Sequence, residues 1–123
     1  MRCILKCNAY TPISLMLDCL CFLSVRQYYI YQTLCFVYKA DRNLLPPYLK
    51  RYLITNSSIH RYETRNNNDF YVNKTKKECT KSSVFYDGLA LYNSLPDSIR
   101  LSESIYIFKH KVKVYIKSCY KYV

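Results

Sequence analysis

A chain of 123 residues is one domain at most, long enough to bury roughly two-thirds of the surface its unfolded form exposes. Nineteen Lys and Arg against eight Asp and Glu leave a net charge of +11, which points to a polyanionic partner, nucleic acid or an anionic membrane surface, over a neutral one. The only glycine is Gly88, which excludes a P-loop or a dinucleotide-binding turn, and seven cysteines without a Cys-x-x-Cys pair, with two distant histidines, exclude a zinc site of closely spaced ligands.

The first element predicted is a helix from residue 13. Thr11 supplies an N-cap and Pro12 a first helical position, and Ile13, Met16, Leu17, Leu20 and Cys21 fall on one face. The apolar run 13–25 also suits a secretion signal, but Asp18 interrupts it and it is too short to span a bilayer. We read it as an amphipathic core helix. Residues 24–41 follow as a long helix capped by Ser24, with Tyr28, Ile30, Tyr31, Leu34, Cys35, Val37 and Tyr38 leaving little polar surface, as in a central helix. Pro46-Pro47 starts a short helix whose Tyr48, Leu49, Tyr52 and Leu53 can face inward.

Residues 55–82 form a polar, basic insertion. HRYETR (60–65) and DFYVNKT (69–75) read as the arms of a two-stranded ribbon across the Asn run 66–68. Residues 83–95 set a choice. Asp87-Gly88 can be a hairpin turn, but Phe85, Leu89, Tyr92 and Leu95 line one helical side, and Leu95-Pro96 would end a helix there. Residues 102–120 show Ile105, Phe108, Val112, Tyr115, Ile116 and Cys119 at helical spacing, although Val112, Val114 and Ile116 also alternate as in a strand. Length and a Ser102 cap favour helix. The expected fold is mostly α: a small helical domain of about four to five helices over residues 1–123, with a short two-stranded β-ribbon near the middle. The 15 tyrosines should lie half-buried with hydroxyls at the surface. Cys19, Cys21, Cys35 and Cys119 read as small core hydrophobes in a reducing, intracellular compartment, nuclear or cytoplasmic.

No complete catalytic site is legible. The acids are scattered, whereas a two-metal site gathers carboxylates around its ions. Phe85-Tyr86-Asp87-Gly88 superficially resembles the Tyr-x-Asp-Asp strand of polymerases but holds one acid only. No catalytic residue, metal, cofactor, membrane partner or small-molecule substrate is therefore expected. The charge does have local structure. Lys74, Lys76, Lys77 and Lys81 cluster after the ribbon, Arg61 and Arg65 lie on its first arm, and Tyr62, Phe70 and Tyr71 are interleaved. Such residues meet phosphates while an aromatic face stacks on an unpaired base. An ordinary polar loop with a few lysines is the plain alternative.

Six stretches, in order, carry a resemblance: ILKCNAYTPISLMLD (4–18), LSVRQ (23–27), FVYKADRNLLPPYL (36–49), YETRNNNDF (62–70), SVFYDGLALYNSLPDSIR (83–100) and IFKHKVKVYI (107–116). The chain resembles the region that follows the polymerase domain in reverse transcriptases of non-LTR, LINE-like retrotransposons, closest to the jockey-like elements of insects. Its motif positions include Pro12, Tyr48, Gly88, Tyr92 (tryptophan in many relatives), Asn93, Leu95, Pro96 and Phe108, and the resemblance implies packing roles for them. The catalytic palm and the endonuclease of that family would lie upstream of Met1. The resemblance therefore implies a fragment of an RNA-directed DNA polymerase that is not itself an enzyme. It would keep at most an accessory role, binding RNA or DNA and docking on an upstream polymerase domain if one is encoded. The alternative is a structural or interaction remnant with no independent activity.

Overall fold

The computed structural model describes residues 2–59, 62–63 and 65–120. In chain order they form α1 (Arg2–Leu5), α2 (Ile13–Cys19), α3 (Val25–Asp41), α4 (Pro47–Lys50), α5 (Asn56–Ile59), α6 (Glu78–Lys81), a π-helical turn (Val84–Gly88), α7 (Leu89–Asn93), α8 (Asp97–Arg100) and α9 (Ile105–Cys119). The chain is mostly helical, as expected. The elements outnumber the expected four to five because several are single turns between α3 and α9.

Ser24 sets where the central helix begins. Its hydroxyl accepts from the Gln27 N–H at 3.3 Å, and the Gln27 side-chain oxygen accepts from the Ser24 N–H at 2.9 Å, a reciprocal capping box. α3 buries Ile30, Thr33, Leu34, Cys35, Val37, Tyr38 and Ala40, so its C-terminal half is central as expected, whereas Val25, Tyr28 and Tyr29 in its first turns are exposed. It stops at Asn43, whose φ is 57°. There the Leu44 N–H reaches the Lys39 carbonyl at 2.8 Å and the Asn43 N–H reaches that of Ala40 at 3.3 Å, the paired bonds of a Schellman stop.

α9 lies antiparallel on α3. Phe108, Val112 and Ile116 are fully buried, and the Phe108 ring stacks on Tyr38 with centroids 4.1 Å apart. The three residues recur every four positions, so the helical reading prevails over the strand pattern. The two helices are tied at both ends. Gln27 Nε2 donates to the Tyr120 carbonyl at 2.9 Å, and the buried Tyr38 hydroxyl donates to that of Ser102 at 2.6 Å. The N-cap of α9 is Ser104, not Ser102. Ser102 is itself buried, its hydroxyl donating to the Ile99 carbonyl.

Residues 84–100 close the core as helical segments, and no hairpin forms at Asp87-Gly88. Leu89, Tyr92, Leu95 and Ile99 are buried, and Pro96 ends α7 by opening α8. Tyr92 links the aromatic core, with its ring 6.3 Å from Phe108 and 5.7 Å from Phe70.

The expected two-stranded ribbon is not seen. Among the described residues of 60–75 the two arms do not pair. Phe70 pairs instead with Thr55 in a single antiparallel bridge, with the Asn56 N–H on the Asp69 carbonyl at 2.9 Å and the Tyr71 N–H on that of Ile54 at 2.7 Å. Burial of Phe70 imposes this register. Its N–H donates to Asn93 Oδ1 at 3.0 Å and its carbonyl accepts from Asn93 Nδ2 at 2.8 Å. That occupies one backbone edge, and the alternation of a strand turns the neighbouring groups toward 54–56.

The N-terminal expectations need more correction. α2 is only seven residues long. Thr11 does not cap it, because Pro12 occupies the N-cap position and is exposed. Cys21, at φ 54°, turns the chain before the apolar face is complete, so only Met16 is buried while Ile13, Leu15 and Phe22 are exposed. Of the four cysteines read as core, Cys35 is buried but Cys19, Cys21 and Cys119 are exposed, and none of the seven forms a disulfide. Tyr48 also faces outward, 61 % exposed, because α4 spans a single turn and cannot present both of its faces to the core.

Candidate nucleic-acid interface

The structure divides the predicted basic surface. Arg61 lies outside the described residues. Tyr62 is 83 % exposed and Phe70 is buried against Tyr92, so Phe70 offers no face to a ligand. Arg65 lines a cleft of its own, where Asp41, Asp69 and Asp97 face Arg42 and Arg100. Arg100 bridges Asp69 and Asp97, each at 2.6 Å, so much of the charge in this cleft is paired. In the same cleft the Tyr92 hydroxyl donates to Asp41 Oδ2 at 3.4 Å. Burial first, and then the Asp41 carboxylate, push this phenol well above its ordinary value.

Tyr71 and Lys74 are brought together elsewhere. They line a groove of ≈ 480 Å³ with Arg51, Tyr52, Phe85 and Tyr86. Among the described residues that line it, none is acidic. The groove forms because the Phe70 bridge draws 71–75 alongside 51–54, while the π-turn supplies Phe85 and Tyr86. Phe85 packs on Tyr52 with centroids 5.1 Å apart, fixing that ring, and the Arg51 guanidinium lies 5.1 Å from its centroid. Tyr52 is 51 % exposed and Tyr71 38 %. Lys76 and Lys77 continue the exposed basic stretch. Lys81 differs, being paired with Glu78 at 2.5 Å.

Sequence reasoning places Tyr52 in the core and passes over Arg51 and Tyr86. The signal lies in the Lys-Arg-Tyr run at 50–52, beside the polar segment, but only the 54–56 pairing shows that it faces Tyr71. Asp87, weighed as a catalytic acid, is half-buried in the π-turn. Among the described residues no group of three or more His, Cys, Asp and Glu is arranged to hold a metal ion. No helix among them is long and apolar enough to cross a membrane. No family model matches the chain, and neither a curated protein nor a solved structure matches it.

Proposed function

We propose that the chain is an accessory RNA- or DNA-binding element without catalysis of its own, derived from the region that follows the polymerase domain of a non-LTR retrotransposon reverse transcriptase and docking on that domain where it is encoded. The origin rests on the six ordered sequence stretches. The binding rests on one observation: the groove that joins Arg51 and Lys74 to exposed tyrosine rings, with no acidic residue among the described residues of its lining. On a chain of net charge +11, such a groove attracts a polyanion and holds it by releasing counterions.

Fluorescence anisotropy of a labelled oligonucleotide across a salt series tests this. Affinity should fall steeply with salt. Neutralising Arg51, Lys74, Lys76 and Lys77 together should flatten the slope of log K against log salt by about 0.7 for each phosphate of a single strand that is no longer neutralised. Lys81→Gln should change it less, because Glu78 already neutralises that ammonium. An unchanged slope in the fourfold variant would remove the groove from the binding surface. A second reading, an interaction remnant, draws on the exposed Ile13, Leu15, Phe22 and Val25, an apolar surface suited to a protein partner. Absence of any salt-dependent binding would leave that reading standing.

A further inference from the structure

The geometry points to an unpaired nucleic-acid strand as the occupant of the Arg51–Tyr52–Tyr71–Lys74 groove, held by stacking of its bases on Tyr52 and Tyr71 rather than by charge alone. The inference rests on the nucleic-acid reading above and makes it narrower. Three observations support it. The groove is concave, at ≈ 480 Å³, within the range of about 300–1,000 Å³ typical of sites that enclose small organic groups. Its lining includes the rings of Tyr52, Tyr71, Phe85 and Tyr86, whereas a surface that only follows phosphates needs no rings. Its charge complements a polyanion, with Arg51 and Lys74 on the lining and no carboxylate side chain among the described residues that line it.

A duplex keeps its base faces covered, so it can offer this groove phosphates but no rings. An unpaired strand offers both, and base–aromatic stacking is indifferent to sequence because every base has a π-face. Tyr52 is braced for such a role by Phe85 on its ring. Tyr71 is braced through its backbone, where its N–H donates to the Ile54 carbonyl at 2.7 Å. Arg51, over the Tyr52 ring in the free protein, is exposed and placed to exchange that ring for a phosphate.

The test compares three labelled probes of equal length on the intact chain: a polyuridine strand, a perfectly paired duplex and an abasic strand that keeps the phosphates but lacks bases. The expected result is tightest binding to polyuridine, with polydeoxythymidine behaving alike. Tyr52→Leu and Tyr71→Leu should each weaken polyuridine binding by about 5- to 150-fold, toward the abasic level, while the salt slope and abasic affinity stay unchanged. Equal affinity for all three probes would overturn stacking and leave electrostatic binding intact. Failure to bind any probe would overturn both readings. The probe comparison on the unaltered chain decides the matter even if a tyrosine variant fails to fold.

Discussion

Gly88 has φ −63° and ψ −40°, ordinary helical values that any residue adopts. Its backbone does not need glycine; its surroundings do. A Cβ built there would lie 2.7 Å from the Thr33 methyl carbon, with Val84 and Val37 at 3.4 and 3.5 Å. The neighbour that forces the choice is therefore a side chain of α3, not a backbone. Thr33 is buried and branched at Cβ, so it yields with difficulty. Gly88→Ala should destabilise the fold by about 1–3 kcal/mol from overpacking, reduced by up to about 1 kcal/mol of helix propensity. Adding Thr33→Ser should recover part of that stability, read as positive coupling in urea denaturation of the double-mutant cycle. Cys21 presents the opposite case. Its φ of 54° is strained for a residue with a Cβ, by about 1–2 kcal/mol, and it is exposed. Cys21→Gly should raise the urea midpoint where Gly88→Ala lowers it.

Asn93 acts on the next scale, as the clip between α7 and the loop around Phe70. Its side-chain amide takes both backbone groups of Phe70, as a neighbouring strand would. Asn93→Ala would leave those part-buried groups unpaired, at a cost of about 1–3 kcal/mol. Hydrogen exchange should become faster at Phe70 first, with α3 and α9 still protected. Faster exchange spread evenly over the molecule would mean that the loop and the helices open as one unit. The clip also explains what the segment's sequence could not convey. DFYVNKT has strand-like alternation, but its partner was decided by the burial of Phe70 on Tyr92 and by an amide far along the chain. The long helices were legible because their signals are local: Ser24 and Gln27 cap α3, and Phe108, Val112 and Ile116 recur at helical spacing. The shortness of α2 was not, because its stop is a cysteine in a conformation usually taken by glycine.

At the scale of the whole molecule, an aromatic chain runs through the core from Phe70 through Tyr92 and Phe108 to Tyr38, packed among aliphatic side chains. Tyr92 makes it sensitive to alkali. Its phenol is raised above the ordinary 10.0 in the folded state, chiefly by burial, so the folded protein holds that proton to higher pH than the unfolded chain. The resulting stability is fully present below about pH 10 and declines as pH rises toward the folded value. Cys35 adds to the trend from a lower starting point, since burial raises its thiol from 9.0. Urea midpoints should be flat near neutrality and fall above about pH 9 to 10. Tyr92→Phe should fall less steeply in that range, because it has no phenolic proton to lose. Parallel curves for the two proteins would mean that Tyr92 ionises equally in both states.

By itself the sequence determined the helical character, the central place of α3, the amphipathic face of α9 and the strong positive charge, because capping, periodicity and net charge are properties of neighbouring residues. The resemblance also implied a packing role for Gly88, but the neighbour that requires glycine there, the Thr33 side chain, is set by the fold. Only the tertiary structure decided that Phe70 leaves the basic surface for the core, that Arg65 joins a separate cleft of mixed, largely paired charge, and that Arg51 and Tyr52 meet Tyr71 and Lys74 around one groove. Those outcomes depend on approaches between residues distant in the chain, where the gain from burying an aromatic ring outweighs the alternation of a short polar segment.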